Sequence, residues 1–320
     1  MSTPAIDTAR DSEVLSAFLS EISKDMPIDQ FFPRFRVLDH FMKKAQIRDW
    51  GRQFQIPMAI DENDTIAPFA GFDEFNTTQQ DLVTTLVYAL KNKGGSISIP
   101  WDELQELKGS NHAVFDRVAF LRNNWVKSMM NKVEIDMFVA LNTENPKSIF
   151  SLNTIIDDGV ISAPGEINAS TQPEWSATVV TGGSFASQGL TDMRTLINTI
   201  DEEGAEVDTV VMNKTVYQFY EDVIDPDVRY SSAQGVGGRG FKSLEFHMIP
   251  LIFSKNVTAG TIYMWDSTNL YLRVASDGNF SLDPFEKPTN QKAQVSLGAF
   301  RGQMVCDRRK STGKITSVVA

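Results

Sequence analysis

Hydrophobic residues recur along the chain with two different periods, and each period predicts a different kind of element. Spacings of three and four residues place apolar side chains on one face of a helix. They predict helices over 12–24, 101–142, 191–204 and 214–224. Alternation, which is typical of strands, covers 51–60. β-Branched and aromatic residues predict a strand over 82–100, a short buried strand is predicted over 207–213, and further strands follow from residue 241 onward. The chain therefore mixes helices and strands.

The helix predicted over 101–142 is long for a chain of this size. About 30 residues at 1.5 Å each give a rod of roughly 45 Å. A kink is expected at Gly109, with Asn111 as the cap that follows it. Gly204 is expected to end the helix that starts at Thr191 or Asp192.

Two strands joined by a long polar tip predict an extended hairpin. Phe54, Ile56, Met58 and Ile60 alternate in the first strand, and the second follows a polar segment that contains Pro68. A two-stranded hairpin is only marginally stable by itself. We therefore expect this hairpin to lie on an external surface.

The aromatic segment that precedes the hairpin is predicted to be an irregular or partly helical arm. It spans MPIDQFFPRFRVLDHFMKKAQIRDW, in which aromatic residues alternate with charges. Alone, such a segment would expose too much aromatic surface. It should pack on something, and another subunit is one candidate.

The C-terminal third predicts strands in sequence. FKSLEFHMIPLIF is expected to break at Pro250, and TIYMWD and LYLRVA flank the turn STN. QVSLGAFRGQMVC predicts a long strand, and DRRKSTGK a solvated hairpin turn before a return strand. The basic residues near this turn are Arg301, Arg308, Arg309, Lys310 and Lys314. The alternative for them is a weak contact with packaged nucleic acid or an acidic neighbour.

Composition and charge narrow the classes of function. The 320 residues, 42% hydrophobic and 22% charged, suit a globular protein with two domains' worth of chain. A net charge of −11 repels phosphate and so gives no overall affinity for nucleic acid or anionic lipid. Cys306 is the single cysteine, which excludes an intrachain disulfide and fits a reducing compartment. We expect no membrane span and a protein that stays in solution.

The motifs that could carry chemistry fail in their context. QGVGGRG has dinucleotide-site spacing but follows a loop and precedes a strand. Ser184 lacks the second glycine of a nucleophile elbow. The three histidines, His40, His112 and His247, lie far apart with no ligand-like partners. The paired acids, Asp157–Asp158 and Asp225–Asp227, are interpreted as solvated turn residues, and Cys306 as a structural thiol in a strand. We therefore expect no catalytic, cofactor or metal site.

Four stretches, in their order, carry a family resemblance. They are SISIPWDELQELKGSNHAVFDRVAFLRNNW, VDTVVMNKTVYQFYEDVI, RGFKSLEFHMIPLIFSKNVTAGTIYMWDSTNLYLRV and PFEKPTNQKAQVSLGAFRGQMVCDRRKSTGKI. With the aromatic arm and the hairpin, this order resembles the major capsid proteins of tailed bacteriophages. Their shell fold is shared with the herpesvirus capsid floor and with encapsulins. The resemblance covers roughly residues 50–320.

The resemblance implies an α+β fold with named parts. These are an N-terminal arm (1–49), an extended loop (50–100), a peripheral domain with a spine helix (101–195 and 286–320) and an axial domain (196–285). It implies a structural protein, not an enzyme, that assembles in pentamers and hexamers into an icosahedral shell around double-stranded DNA. It also implies a precursor shell that expands when the DNA is packaged.

The implied partners are copies of the chain itself, a separate scaffolding protein, a portal and cement proteins. The implied location is the virion, and the host cytoplasm during assembly. An encapsulin-like cellular compartment is the alternative with the same fold, and a cytosolic enzyme with an unrecognised site is the alternative of another class.

Two sets of residues are candidate sites if the chain is a capsid subunit. The candidate assembly contacts are Trp50, Phe54, Ile56, Met58, Phe69, Phe72, Phe75, Arg229 and Arg239. Some relatives crosslink neighbouring subunits by a Lys–Asn isopeptide bond, for which the candidate partners are Lys91 or Lys93 and Asn290.

Overall fold

A computed structural model describes residues 35–49, 51–106, 111–141, 143–224 and 245–320. These residues form two compact units. The smaller unit contains Gly94–Asn131 and Phe280–Ala299, and the larger contains Phe35–Lys93, Lys132–Asn279 and Phe300–Ala320. The helix predicted at 12–24, the kink at Gly109 and the motif QGVGGRG lie outside the described residues.

The described elements alternate between helix and strand along the chain. The helices are α1 (Arg36–Lys43), α2 (Trp101–Glu106), α3 (Asn111–Met137), α4 (Leu152–Ile155), α5 (Leu190–Glu202) and α6 (Lys214–Ile224). The first strands are β1 (Gln46–Arg48), β2 (Gln53–Ala59), β3 (Val83–Ala89), β4 (Lys91–Pro100), β5 (Thr178–Thr181) and β6 (Thr209–Met212). The others are β7 (Glu245–Phe246), β8 (Ile249–Phe253), β9 (Ile262–Trp265), β10 (Leu270–Ala275), β11 (Ser281–Leu282), β12 (Ala293–Cys306) and β13 (Thr312–Thr316).

The smaller unit packs around Trp125 of α3, which is buried. Strand β12 passes so close to this indole that a Cβ atom at Gly298 would lie 2.4 Å from the ring. Strand β11 pairs antiparallel with β12, with Ser281 opposite Ala299, and β4 pairs with β12 as well. A glycine is thus required where the strand crosses the tryptophan.

The larger unit contains a six-stranded sheet in the order β5-β13-β9-β6-β8-β7. Strand β6 is buried at every residue because it lies inside this sheet. Helix α5 packs against β13 and β5. Its apolar stripe joins a core with α6 and the sheet, and the stripe consists of Met193, Leu196, Ile197 and Ile200.

A second set of strands in the larger unit joins distant parts of the sequence. Strand β1 runs parallel to β10, with Gln46 opposite Arg273. Strand β10 runs antiparallel to β12, with Leu270 opposite Cys306. Strands β9 and β10, which flank the turn STN, therefore belong to different sheets, and the turn passes the chain from one sheet to the other.

The described part of the predicted arm packs on its own chain. Helix α1 buries Val37, Leu38 and Phe41 and contacts β8 and β10. The ring of Phe41 stacks on Trp265 with the centroids 5.3 Å apart. From Arg36 onward the segment is therefore part of the core of the larger unit.

Several local predictions hold and two need correction. Helix α6 and strand β6 match their predicted segments, and Gly204, with φ +77°, follows the end of α5 as expected. The helix predicted to reach residue 142 ends at Met137, because Phe138 turns into the core against Tyr263, with the ring centroids 6.1 Å apart. The break expected at Pro250 falls instead at His247 and Met248, which both have positive φ.

The predicted hairpin between β12 and the last strand is wrong. Strand β13 pairs antiparallel with β9, with Lys314 opposite Tyr263, and parallel with β5, with Lys314 opposite Val179. A short 3₁₀ turn, Arg309–Ser311, leads the chain away from β12 into the six-stranded sheet. The two strands follow each other in sequence but lie in different sheets.

Candidate assembly surface

The stem of the predicted hairpin is present and is anchored in the larger unit. Strands β2 and β3 pair antiparallel over seven residue pairs, from Gln53–Ala89 to Ala59–Val83. The ring of Phe54 stacks on Tyr88 at 5.7 Å, and the Tyr88 hydroxyl donates a 2.9 Å hydrogen bond to the carbonyl oxygen of Cys306. The base of the hairpin is thus fixed to the core.

The anchored stem changes the set of candidate assembly contacts. Phe54 is buried in its own core, with the guanidinium of Arg273 4.4 Å from its ring centroid. Ile56 and Met58 are half-buried and pack against the same core cluster. Phe54 is therefore not available to a second subunit, and Ile56 and Met58 offer only part of their surface.

The tip of the hairpin, residues 60–82, exposes large apolar side chains. Phe72 is fully exposed, and Ile66, Phe69 and Phe75 are 82%, 65% and 64% exposed. The rings of Phe69 and Phe75 pack on each other with the centroids 4.9 Å apart. Phe69 and Phe75 thus form an exposed apolar pair, a feature that is typical of interaction surfaces.

Short polar contacts give the tip a defined shape. Asn63 Oδ1 accepts hydrogen bonds from the backbone and the hydroxyl of Thr65, and Asn76 Oδ1 does the same for Thr78. The backbone N–H of Asp64 donates to Gln80 Oε1 over 3.1 Å, which ties the two sides of the tip together. The apolar side chains are thus held outward by a hydrogen-bonded loop.

The tip is also strongly acidic, which the strand pattern alone did not indicate. Neither lysine, arginine nor histidine occurs between Gln53 and Leu90. The acidic residues of the tip are Asp61, Glu62, Asp64, Asp73, Glu74 and Asp81. They supply more than half of the net charge of −11.

The remaining candidate residues fall in separate places. Trp50, Arg229 and Arg239 lie outside the described residues. Lys91 Nζ donates to the carbonyl oxygen of Pro146 over 2.8 Å, and Lys93 forms an ion pair with Asp136. Asn290 is exposed in a turn of the smaller unit, and the crosslink stays a prediction.

The basic residues near the C-terminus do not form the solvated turn that the sequence predicted. Arg309 is fully buried, and Nε donates to the carbonyl oxygen of Ile155 over 2.9 Å. Its Nη atoms donate to the carbonyl oxygens of Trp175 and Asp157 over 3.1 and 2.8 Å and to Ser162 Oγ over 3.3 Å. A guanidinium with five donors satisfies several carbonyl groups that would otherwise be buried without partners.

The other basic residues of this segment are paired as well. Lys314 Nζ lies 2.9 Å from Asp157 Oδ1, and both side chains are buried, so the solvated interpretation of Asp157 is also wrong. Lys310 forms ion pairs with Glu174 and Glu203. Arg308 donates to the carbonyl oxygen of Glu203, and Arg301 donates to that of Gly51 over 3.1 Å. A role in binding nucleic acid or an acidic neighbour therefore finds no support in this segment.

The sequence did not indicate one cluster of side chains whose types, histidine, serine and aspartate, occur in hydrolase active sites. His40 Nε2 lies 3.2 Å from Ser267 Oγ and 3.0 Å from Thr209 Oγ1. The Ser267 hydroxyl donates to Asp208 Oδ1 over 2.7 Å, and Asp208 Oδ2 lies 2.7 Å from Lys44 Nζ. In a hydrolase the carboxylate orients the histidine, whereas here it binds the serine. The group therefore holds α1 on the sheet and does not activate a nucleophile.

The described residues contain little else with catalytic character. No cluster of three or more metal-ligating side chains occurs among them. Cys306 is fully buried, and burial raises its pKa to about 12, in keeping with the predicted structural thiol. Within the same residues, every helix is too short or too polar to span a lipid bilayer.

Comparison with known proteins shows the fold. No family model matches the sequence, and no curated protein matches it. The capsid asymmetric unit of cyanophage A-1(L) matches with a TM-score of 0.69 and 11% identity, over 93% of this chain and 96% of that one. The capsid of a native GTA particle matches with a TM-score of 0.63 and 13% identity, over 98% of this chain and 100% of that one.

An encapsulin is among the similar structures. The holo-SrpI encapsulin complex from Synechococcus elongatus PCC 7942 matches with a TM-score of 0.60 and 11% identity, over 95% of each chain. The likeness to these proteins lies in the fold, since the identities are 11–13%. The chain therefore has the α+β fold of phage capsid and encapsulin shell proteins, which confirms the fold class predicted from the sequence.

Proposed function

We propose that the chain is the major capsid protein of a tailed bacteriophage and assembles into an icosahedral shell around double-stranded DNA. The observation that carries this proposal is the match of nearly the whole chain to capsid proteins, combined with a hairpin tip that exposes apolar side chains. A shell subunit needs complementary outer surfaces and no catalytic pocket. The protein acts as a structural component and not as an enzyme.

The exposed tip supplies a physical reason to assemble. Burying apolar surface contributes about 25 cal/mol per Å², and a standard interface buries about 800 Å² on each partner. Most of the gross gain of one contact is offset by lost freedom of motion. A closed shell repeats the same contact around every symmetry axis, so modest interfaces add up to a stable container.

The parts of the fold take the roles that this function implies. The axial domain, residues 196–285, surrounds the five-fold and six-fold positions in pentamers and hexamers. The peripheral domain, residues 101–195 and 286–320, meets its neighbours near three-fold positions. A separate scaffolding protein, a portal and cement proteins are the further partners, and the DNA is enclosed without sequence specificity. Assembly takes place in the host cytoplasm and ends in the virion.

A second function has support from one specific observation. The encapsulin match covers 95% of this chain, so the same subunit would also suit a cellular compartment that encloses a protein cargo. The two functions differ in what fills the particle. The content of the particle therefore decides between them.

Electron microscopy of the purified chain tests the proposal. We expect closed particles of uniform diameter, and nuclease-protected double-stranded DNA in particles recovered from producing cells. Particles that enclose a single protein would favour the compartment. A chain that stays a compact monomer over a wide range of concentration and salt would contradict both functions.

A matched pair of variants shows whether the tip takes part in assembly. Phe72→Ser removes a fully exposed ring and should reduce particle yield while the fold is kept. Val160→Ser removes an exposed apolar side chain outside the tip and should leave the yield unchanged.

A further inference from the structure

Three lysines of the larger unit surround a small depression at the base of the hairpin stem. Lys91 and Lys93 come from β4, and Lys147 comes from the turn that follows Pro146. Asp136 also lines the depression and forms an ion pair with Lys93. The floor is apolar and consists of Val133, Ile149 and Phe300. We call this group of residues the lysine pocket.

The lysine pocket has an excess of positive charge. Asp136 neutralises one lysine, which leaves two positive charges at the rim. Among the residues that the structure describes, the hydrogen-bond partner of Lys91 Nζ is the carbonyl oxygen of Pro146, 2.8 Å away. Lys147 is exposed and forms no ion pair with any residue that the structure describes. The pocket is therefore suited to an anion.

The acidic tip of the same chain does not occupy this pocket. Seven residue pairs separate the tip from the end of the stem, which is about 20 Å at 3.4 Å per residue. The tip residues also have their hydrogen bonds within the tip, such as Asp64 to Gln80 and Ala70 to Asp73. Any contact between the tip and the lysine pocket must therefore be made between two copies of the chain.

We propose that the lysine pocket of one copy receives the acidic tip of a second copy. The inference rests on the proposed function, because it names the residues through which neighbouring subunits pair. The tip offers carboxylates beside exposed aromatic rings, and the pocket offers lysines above an apolar floor. Charge complementarity of this kind steers association and fixes which surfaces meet.

A carboxylate partner fits better than nucleic acid. The chain carries a net charge of −11, which repels a long polyanion from most of its surface. The pocket is small and has a buried floor, so it has room at its mouth for the end of one carboxylate side chain and not for a stretch of phosphates. It presents neither an extended row of cations nor an exposed aromatic ring on which bases could stack.

Charge reversal on each side tests the contact. Lys147→Glu should raise the protein concentration needed for particle formation by more than about tenfold, because it removes the net positive charge of the lysine pocket and adds a carboxylate opposite the acidic tip. The double variant Glu62→Lys with Glu74→Lys should raise this concentration as well, because it places positive charges opposite the lysines of the pocket. Neither glutamate side chain forms a hydrogen bond among the described residues, so the change acts through charge. The variant that combines all three changes should recover assembly, because the carboxylate introduced at position 147 would then face the ammonium groups introduced in the tip. Lys255→Glu, an exposed lysine outside the pocket, is the control and should assemble like the wild type.

Failure of the combined variant to recover assembly would overturn the inference, and so would wild-type assembly of Lys147→Glu. If Lys147→Glu forms normal particles that enclose less nucleic acid, the pocket binds phosphate and the inference is wrong.

A second measurement separates this inference from the proposed function. Equal amounts of unlabelled and ¹⁵N-labelled protein are mixed, assembled and treated with a carbodiimide, which joins lysine to carboxylate without a spacer. We expect mixed-label crosslinks between Lys147 or Lys91 and the tip. Closed particles without such crosslinks would leave the shell function standing and refute the pairing. Mixed-label crosslinks in small oligomers that never close would support the pairing and refute the shell function.

Discussion

Lys314 Nζ lies 2.9 Å from Asp157 Oδ1, with only 8% and 9% of the two side chains exposed. Lys314 lies in β13, inside the six-stranded sheet, and Asp157 follows the short helix α4. Charges removed from water in this way are tolerated only as a pair with further hydrogen bonds. The contact therefore binds the segment after α4 to the sheet.

Removing one member of this pair should be strongly destabilising. Lys314→Met leaves a buried carboxylate without its cation, which costs about 3–5 kcal/mol. We expect urea denaturation followed by circular dichroism to show a free energy of unfolding that is lower by this amount. Lys255→Met, at an exposed position, should stay within about 0.5 kcal/mol of the wild type. Equal stability of the two variants would contradict this account.

The same pair predicts a dependence of stability on acid. Burial alone would raise the pKa of Asp157, but the hydrogen bond and charge of Lys314 outweigh it and lower the pKa below 3.8. A carboxyl whose pKa is lower in the folded state stabilises the protein above its unfolded pKa, and this contribution is lost as pH falls through the folded pKa. We expect urea midpoints of the wild type to fall below about pH 4. The double variant Asp157→Asn with Lys314→Met should lose this part of the pH dependence, and an unchanged slope would refute the assignment.

A substitution at Arg309 tests how much the hydrogen bonds of its buried guanidinium stabilise the fold. Arg309→Lys keeps the charge but loses the planar set of donors that reaches Ile155, Trp175 and Asp157. Carbonyl groups left without donors should lower the free energy of unfolding by at least about 3 kcal/mol. Arg308→Lys, its exposed neighbour, should cost less than about 1 kcal/mol. Thermal melts of the two variants provide the comparison, and similar melting temperatures would contradict the prediction.

The sequence predicted the local elements of this chain better than their long-range partners. The residue patterns that predict β6 and α6, and the end of α5 at Gly204, each depend on residues within one segment. The structure has all three as predicted. The partners of β13 depend on residues more than 45 positions away, on β9 and β5. Adjacency in sequence suggested a hairpin with β12, and no local pattern distinguishes the two arrangements.

The charge of Arg309 suggested an exposed side chain, whereas the structure has it buried. Charged residues are mostly exposed, so the segment DRRKSTGK, with four basic residues among eight, was interpreted as a solvated turn. The groups that make burial tolerable, the carbonyl oxygens of Ile155 and Trp175, lie far away in the sequence. Sequence alone is also insufficient for the stem of the hairpin, β2 and β3. Alternation indicates that a strand has two faces, but it does not indicate which face packs on the chain itself. Phe54 was thus predicted as a contact with a second subunit, although it is buried.

Two glycines with positive φ give a matched test of backbone strain and packing. Gly260 has φ +65°, and a Cβ atom there would lie 2.8 Å from the carbonyl oxygen of Val318. Gly71 has φ +57°, with nothing within 4 Å of a Cβ atom. Strain alone costs about 1–2 kcal/mol, so Gly71→Ala should lose this much or less. Gly260→Ala should lose at least about 1 kcal/mol more. Urea midpoints of the two variants measure the difference, and a larger loss for Gly71→Ala would be inconsistent with this packing.

His40 should make the docking of α1 sensitive to pH. Burial and the nearby charge of Lys44 lower the pKa of His40 from 6.5, against the opposing attraction of Asp208. A histidine whose pKa is lower in the folded state contributes fully above pH 6.5, and its contribution is lost as pH falls toward the folded pKa. We expect the free energy of unfolding to fall between pH 7 and 5 more steeply in the wild type than in His40→Gln. Glutamine keeps an N–H donor for Ser267 and Thr209 but does not titrate, so the difference between the two profiles isolates His40 from carboxyl groups elsewhere. Parallel profiles over this range would show that the imidazole is as easily protonated in the folded chain as in the unfolded one.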